Sequence, residues 1–88
     1  MRYGLYAIHD RLTGYLSPTV DQNDPAAARN FAHAVLQSPS LMSSHPQDYA
    51  LFHIADYDSD TGRITPLQDH VLVSDASSVV RSSIAERS

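Results

Sequence analysis

The sequence predicts an α+β domain of ββαββ order: an antiparallel four-stranded sheet made from two repeated hairpins, one helix packed on one face, and a weakly helical C-terminal tail. Three observations predict it. There is a gapless internal repeat, a well-punctuated helix between its copies, and an apolar strand-length segment ahead of each copy. The domain is set at residues 1–73 and the tail at 74–88.

The repeat aligns Asp10-Arg11-Leu12-Thr13-Gly14-Tyr15-Leu16-Ser17-Pro18 on Asp58-Ser59-Asp60-Thr61-Gly62-Arg63-Ile64-Thr65-Pro66. Tyr3 to Ile8 precede the first copy and Ala50 to Ala55 the second, so each copy reads as strand, tight turn, short strand. The aspartate accepts hydrogen bonds from turn amides, the glycine supplies the positive φ that closes the turn, and the proline ends ladder pairing on the outgoing strand. The stretch Asp56 to Gly62 is rich in aspartate, but it lacks the spacing and terminal glutamate of a calcium loop.

Between the hairpins, Asn23 or Asp24 caps a helix with Pro25 in its first turn. Ala27, Ala28, Phe31, Ala34 and Val35 fall on one face, with Arg29 and His33 on the other. The helix fades near Gln37, because Ser38 precedes Pro39. Ser38 to Asp48 reads as a Pro/Ser-rich loop tacked to the core by Leu41-Met42. In the tail, Ser74 or Asp75 caps a short helix carrying Val79, Val80 and Ile84, weakened by five serines.

Alternation sets the faces of the sheet. Gly4, Tyr6 and Ile8 share one side of the first strand, and Tyr3, Leu5 and Ala7 the other. Carried across the repeat, Phe52 and Ile54 join the first set, while Leu51, His53 and Ala55 join the second. Neither side is polar, and one helix covers only one of them. The uncovered face is expected to meet a second copy of the chain, the chain's own tail, or stacked bases. Tyr3, Leu5, Tyr49, Leu51 and His53 form the expected homodimer face.

The chain has 88 residues and no cysteine, so it fits one domain without a disulfide framework. Domains of this size bury only about 60% of their unfolded surface, and self-association adds stability. No stretch approaches the roughly 20 apolar residues of a membrane helix. The first residues lack a signal peptide's apolar run, so a cytoplasmic location without membrane contact is expected. The net charge is −4, and all six basic residues are arginines. A GC-rich coding sequence accounts for that choice, as does selection for guanidinium groups that fork onto phosphates. The acidic balance argues against a non-specific nucleic-acid coat and restricts any such contact to a local patch.

Five histidines (His9, His33, His45, His53 and His70) are scattered with no metal-ligand spacing, and the three glycines form no phosphate-cradling loop. No strand-turn-helix nucleophile elbow occurs. No enzyme, cofactor or metal is expected. His45-Pro46-Gln47-Asp48-Tyr49 reads as a structured entry to the third strand.

The order Tyr6-Ala7-Ile8, Asp10, Thr13-Gly14, Pro18, Ala28-Arg29-x-Phe31, His45-Pro46-x-Asp48-Tyr49-x-Leu51 and Asp58-x-x-Thr61-Gly62 resembles the small nonstructural protein of gokushovirus-type microviruses. These are icosahedral phages with circular single-stranded DNA genomes. The match spans about residues 3 to 66. The resemblance implies a non-enzymatic protein of the host bacterial cytoplasm, described as DNA-binding or as acting in viral DNA synthesis and packaging. It would bind single strands or dock on the replication protein or the procapsid. Arginine-aromatic interleaving then nominates Arg2, Tyr3, Arg11, Tyr15, Arg29, His33, Tyr57 and Arg63 as nucleic-acid contacts.

Overall fold

The computed structural model describes residues 1–37 and 40–87. The fold is α+β, with an antiparallel sheet of five strands: β1 (Arg2–Asp10), β2 (Gly14–Tyr15), β3 (Thr19–Asp21), β4 (Tyr49–Asp58) and β5 (Arg63–Asp75). Its order is β2-β1-β4-β5, with β3 also paired to β1. Three α-helices accompany it: α1 (Asp24–Leu36), α2 (Leu41–Ser44) and α3 (Ala76–Arg87), and a 3-10 turn at Pro46–Asp48 leads into β4. The expected frame of four strands around one central helix is simpler than the fold, whereas the short helix expected in the tail is present as α3, behind Asp75. The stretch read as a loop contains α2, and the second strand is split at Ser17-Pro18.

The two hairpin turns use the same chemistry. Asp10 accepts from the Leu12 N–H at 2.9 Å, and Asp58 accepts from the Asp60 N–H at 2.9 Å. Gly14 and Gly62 close the turns at φ of 98° and 73°, conformations costly for a residue bearing Cβ. Each copy's proline also interrupts pairing. Pro18 separates β2 from β3, while Pro66 is the last residue before Leu67–His70 swing out of the β4–β5 ladder, which resumes at Val71.

α1 is capped by Asn23, whose side chain accepts from the Ala26 N–H at 2.9 Å, and Gln37 closes its C-terminus. Ser38 and Pro39, the expected stop signal, lie outside the described residues. Ala27, Phe31 and Val35 drop into a core with Tyr6, Tyr49, Leu51 and Ala76, while Ile8, Met42, Val73, Val79 and Val80 pack around it. Full burial of side chains such as Phe31 and Val35 contributes roughly 1.5–3 kcal/mol each. α3, whose first turn is capped by Asp75, supplies Ala76, Val79 and Val80 to this core. The segment read as a tail therefore lies on the helical side of the sheet and leaves the other face open.

One feature of β4 overturns the expected faces. Leu5 pairs with Ala55, but Tyr6 pairs with His53, so Ile54 is an extra residue in β4. Ala55 falls on the side expected from the repeat. Upstream of the bulge the parity is inverted: Ile8 pairs with Leu51 and Tyr6 with His53, which puts both residues on the helical face. Tyr49 and Leu51 are core residues, so the expected homodimer face is not one surface: Tyr3 and Leu5 lie on one side of the sheet, and Tyr49, Leu51 and His53 on the other.

Candidate nucleic-acid interface

The helix-free face is built from cross-strand rows. Tyr3 pairs with Tyr57, which pairs with Ile64. Ala7 pairs with Phe52, which pairs with Leu72. His9 pairs with Tyr15 on one side and Ala50 on the other. Tyr15, Ile64 and Leu72 are 47%, 53% and 56% exposed, so this face is apolar and wet.

The sheet curls toward this face. Tyr15 stands on β2 and His70 on β5, at opposite edges about 14 Å apart if the strands lay flat at 4.8 Å spacing. Their side chains nevertheless meet, with the Tyr15 hydroxyl 2.8 Å from His70 Nδ1. The excursion at Leu67–His70 carries the histidine across. Below that bridge, the Tyr15 ring packs edge-on against His9 at 4.7 Å and Phe52 at 6.1 Å between centroids. The result is a shallow aromatic trough, with Tyr3 and Tyr57 beside each other toward its far end.

The nominated contacts divide into three groups, with Arg2 apart from them. Tyr3 and Tyr57 lie together on the open face near the second hairpin turn, whereas Arg63, paired with Asp58 in the row of Arg2, stands beside them on the opposite side of the sheet. Arg11 and Tyr15 lie at the first hairpin, roughly 25 Å away along β1 at about 3.3 Å per residue. Arg29 and His33 are exposed on α1, in the helical layer. Arg2 turns to the helical side and pairs with Asp56 at 3.5 Å.

Carboxylates are interspersed with these groups. Asp58 is held below the ordinary carboxylate range chiefly by the Asp60 N–H and then by the N-terminal ammonium, which lies 3.6 Å away. Asp10 is lowered chiefly by the Leu12 N–H. Both are ionised turn anchors at neutral pH.

A second polar cluster, invisible in the sequence, sits where β1 and β4 meet the start of α1. The Tyr6 hydroxyl donates to Asp24 Oδ1 at 2.5 Å, and burial, followed by that bond, pushes its phenol above the ordinary value of 10.0. The His53 ring stacks on Tyr6 at 4.9 Å, and its Nε2 lies 3.1 Å from Asp56 Oδ1. His53 Nδ1 is 4.0 Å from Asp24. The parity shift at Ile54 makes this cluster, and no spacing rule announces a bulge. It ties α1 to the sheet through groups that are already mutually satisfied.

Among the described residues, no group of three or more His, Asp or Glu side chains is placed to hold a metal ion. No helix formed by them is long and apolar enough to cross a membrane.

Comparison with curated proteins and with solved structures gave no match. The family model described as phage ORF5 protein matches residues 3–79, a span that includes both hairpins, α1 and the first residues of α3. This chain belongs to the phage ORF5 protein family.

Proposed function

We propose that this phage protein is a non-enzymatic accessory factor in viral single-stranded DNA synthesis or genome packaging, and that it binds single-stranded DNA across the open face of its sheet. The observation that carries the reading is the trough of His9, Tyr15, Phe52 and His70, continued by Tyr3 and Tyr57, on the face no helix covers. An antiparallel sheet backed by helices and bearing exposed aromatics suits unstacked bases, because every base offers a π-face. Arg11 and Arg63, at opposite ends of the sheet, suit the entering and leaving phosphates. The resemblance to the nonstructural protein of gokushovirus-type microviruses supports the same role in the host cytoplasm, and the homodimer is proposed because a domain this small gains stability by self-association.

A fluorescence-anisotropy titration with labelled oligothymidylate tests this. Binding should appear at micromolar protein in low salt and weaken as salt rises, with a log-log slope of about −0.7 per phosphate neutralised. No binding at tens of micromolar protein, or binding indifferent to salt, would sink the reading.

A second reading rests on the carboxylates. Asp10, Asp58 and Asp60 crowd the hairpin turns and Asp69 the β5 excursion, which opposes phosphate and favours a protein partner. In that version the open face docks on the replication protein or the procapsid without touching DNA. Co-purification with either from infected cells, combined with a blank titration, would select it.

A further inference from the structure

On the helical side, α1 and α3 leave a groove of about 450 Å³ between them, lined by Arg29, Ala28, Ala32, Val79 and the hydroxyl side chains of Ser78 and Ser82. Ser74 and Ser83 extend the hydroxyl lining. Among the described residues no carboxylate lines it, although the chain carries ten. Among the described residues, neither Arg29 nor Arg81 lies within ion-pair distance of a carboxylate. The Arg81 guanidinium instead donates to Ser78 Oγ at 3.0 Å, which sets it beside the groove. Asp75, just ahead of α3, is engaged as a cap, accepting from the Ser78 N–H at 2.8 Å and from Ser78 Oγ at 2.9 Å, and the Arg81 charge also acts on it.

The serines point to what the groove holds. Serine is a poorer helix former than alanine, and a helix that only had to pack would not need the three hydroxyls of Ser78, Ser82 and Ser83 along one groove. Ala28 and Ala32 keep the opposite wall low, so a ligand can come close to both helices. The Arg29 guanidinium, which has no carboxylate within ion-pair distance among the described residues, and the hydroxyls of Ser82 and Ser83 match a phosphate oxygen, and Arg81 stands beside them while also facing the charge of Asp75. His33, one turn beyond Arg29 on α1, extends the same polarity.

We infer that the α1–α3 groove binds the phosphodiester backbone of a nucleic-acid strand through Arg29, Arg81 and the hydroxyls of Ser82 and Ser83. The inference rests on the proposed DNA-binding role, and gives the protein a backbone contact on the face opposite the aromatic trough. Arg29 and Arg81 position the strand. Sequence tolerance follows, because phosphate contacts carry no base information.

The test is an NMR amide titration of the full chain with oligothymidylate and, separately, with inorganic phosphate. Oligothymidylate should shift the amides of Ser78, Ser82, Ser83 and Arg29, and inorganic phosphate should shift them far less at equal concentration. Arg29→Gln and Arg81→Gln should each flatten the log-log salt slope of oligonucleotide binding by about 0.7, as one lost phosphate contact requires. Shifts confined to Tyr3, Tyr15 and Tyr57, with both slopes unchanged, would overturn the groove and leave the proposed function standing. Equal shifts from both probes would make this a small-anion site and overturn the strand assignment. No shift anywhere with oligothymidylate would overturn both readings together.

Discussion

Gly4 has no side chain because Tyr6 occupies the space one would need: a Cβ there would lie 2.6 Å from the Tyr6 ring. That ring cannot easily give way, since it is buried, stacked on His53 and bonded to Asp24. Gly4→Ala should therefore cost about 1–3 kcal/mol in a urea melt, as overpacking does. Tyr6→Phe keeps the packing and loses one hydrogen bond to a half-exposed carboxylate, so about 1 kcal/mol is expected. Ionisable groups set the pH dependence at both ends. Asp10, Asp58 and Asp75 are all lowered on folding, chiefly by backbone N–H groups, so their contribution is present above the ordinary carboxylate range and is lost as pH falls through and below it. Tyr6 is raised, so its contribution is complete below the ordinary phenol value of 10.0 and is lost at higher pH. Urea midpoints across pH should trace a plateau from about pH 5 to 8 with a fall on each side. Continued stabilisation on acidification would contradict these assignments.

At the scale of elements, the hairpins were the most legible part of the sequence. Asp, Gly and Pro act locally, so the two turns and both proline interruptions follow from residues within each copy. The N-cap at Asn23 and the apolar face of α1 were legible for the same reason, and Asn23→Ala should cost about 1 kcal/mol. What the sequence concealed was non-local. An extra residue in a strand can be seen only against its partner, so the parity change at Ile54 was invisible. With it went the placement of Leu51, His53 and Phe52 and the whole Tyr6–Asp24–His53–Asp56 cluster. Deleting Ile54 removes the bulge but leaves Ala55 and His53 on their native faces, because the two then alternate as ordinary strand neighbours opposite Leu5 and Tyr6. Native-like cooperative thermal unfolding and dispersed amide resonances are the expected outcome. A variant that lost both would show that the bulge itself, and not the alternation of its neighbours, holds the register.

Across the whole molecule, helices α1, α2 and α3 crowd one side of the sheet and leave the other to the aromatic trough. An uncovered, partly apolar face was legible from strands with no polar side. Its residue list was not, because the bulge exchanges the members contributed by β4. The tail was offered as one cover for that face, and the structure removes it by folding α3 against α1 and the core. The nominated arginines likewise separate onto two hairpin ends and a helix, a distribution that only the strand order reveals. The chain has no tryptophan, and of its five tyrosines Tyr6 and Tyr49 are buried while Tyr3, Tyr15 and Tyr57 belong to the open face. Tyrosine fluorescence therefore reports on that face directly. Titration with oligothymidylate about a dozen nucleotides long should quench it saturably, and Tyr57→Ala should weaken the binding by about 1–3 kcal/mol. Unchanged fluorescence under conditions where the oligonucleotide is bound would contradict the open sheet face as the site of base stacking.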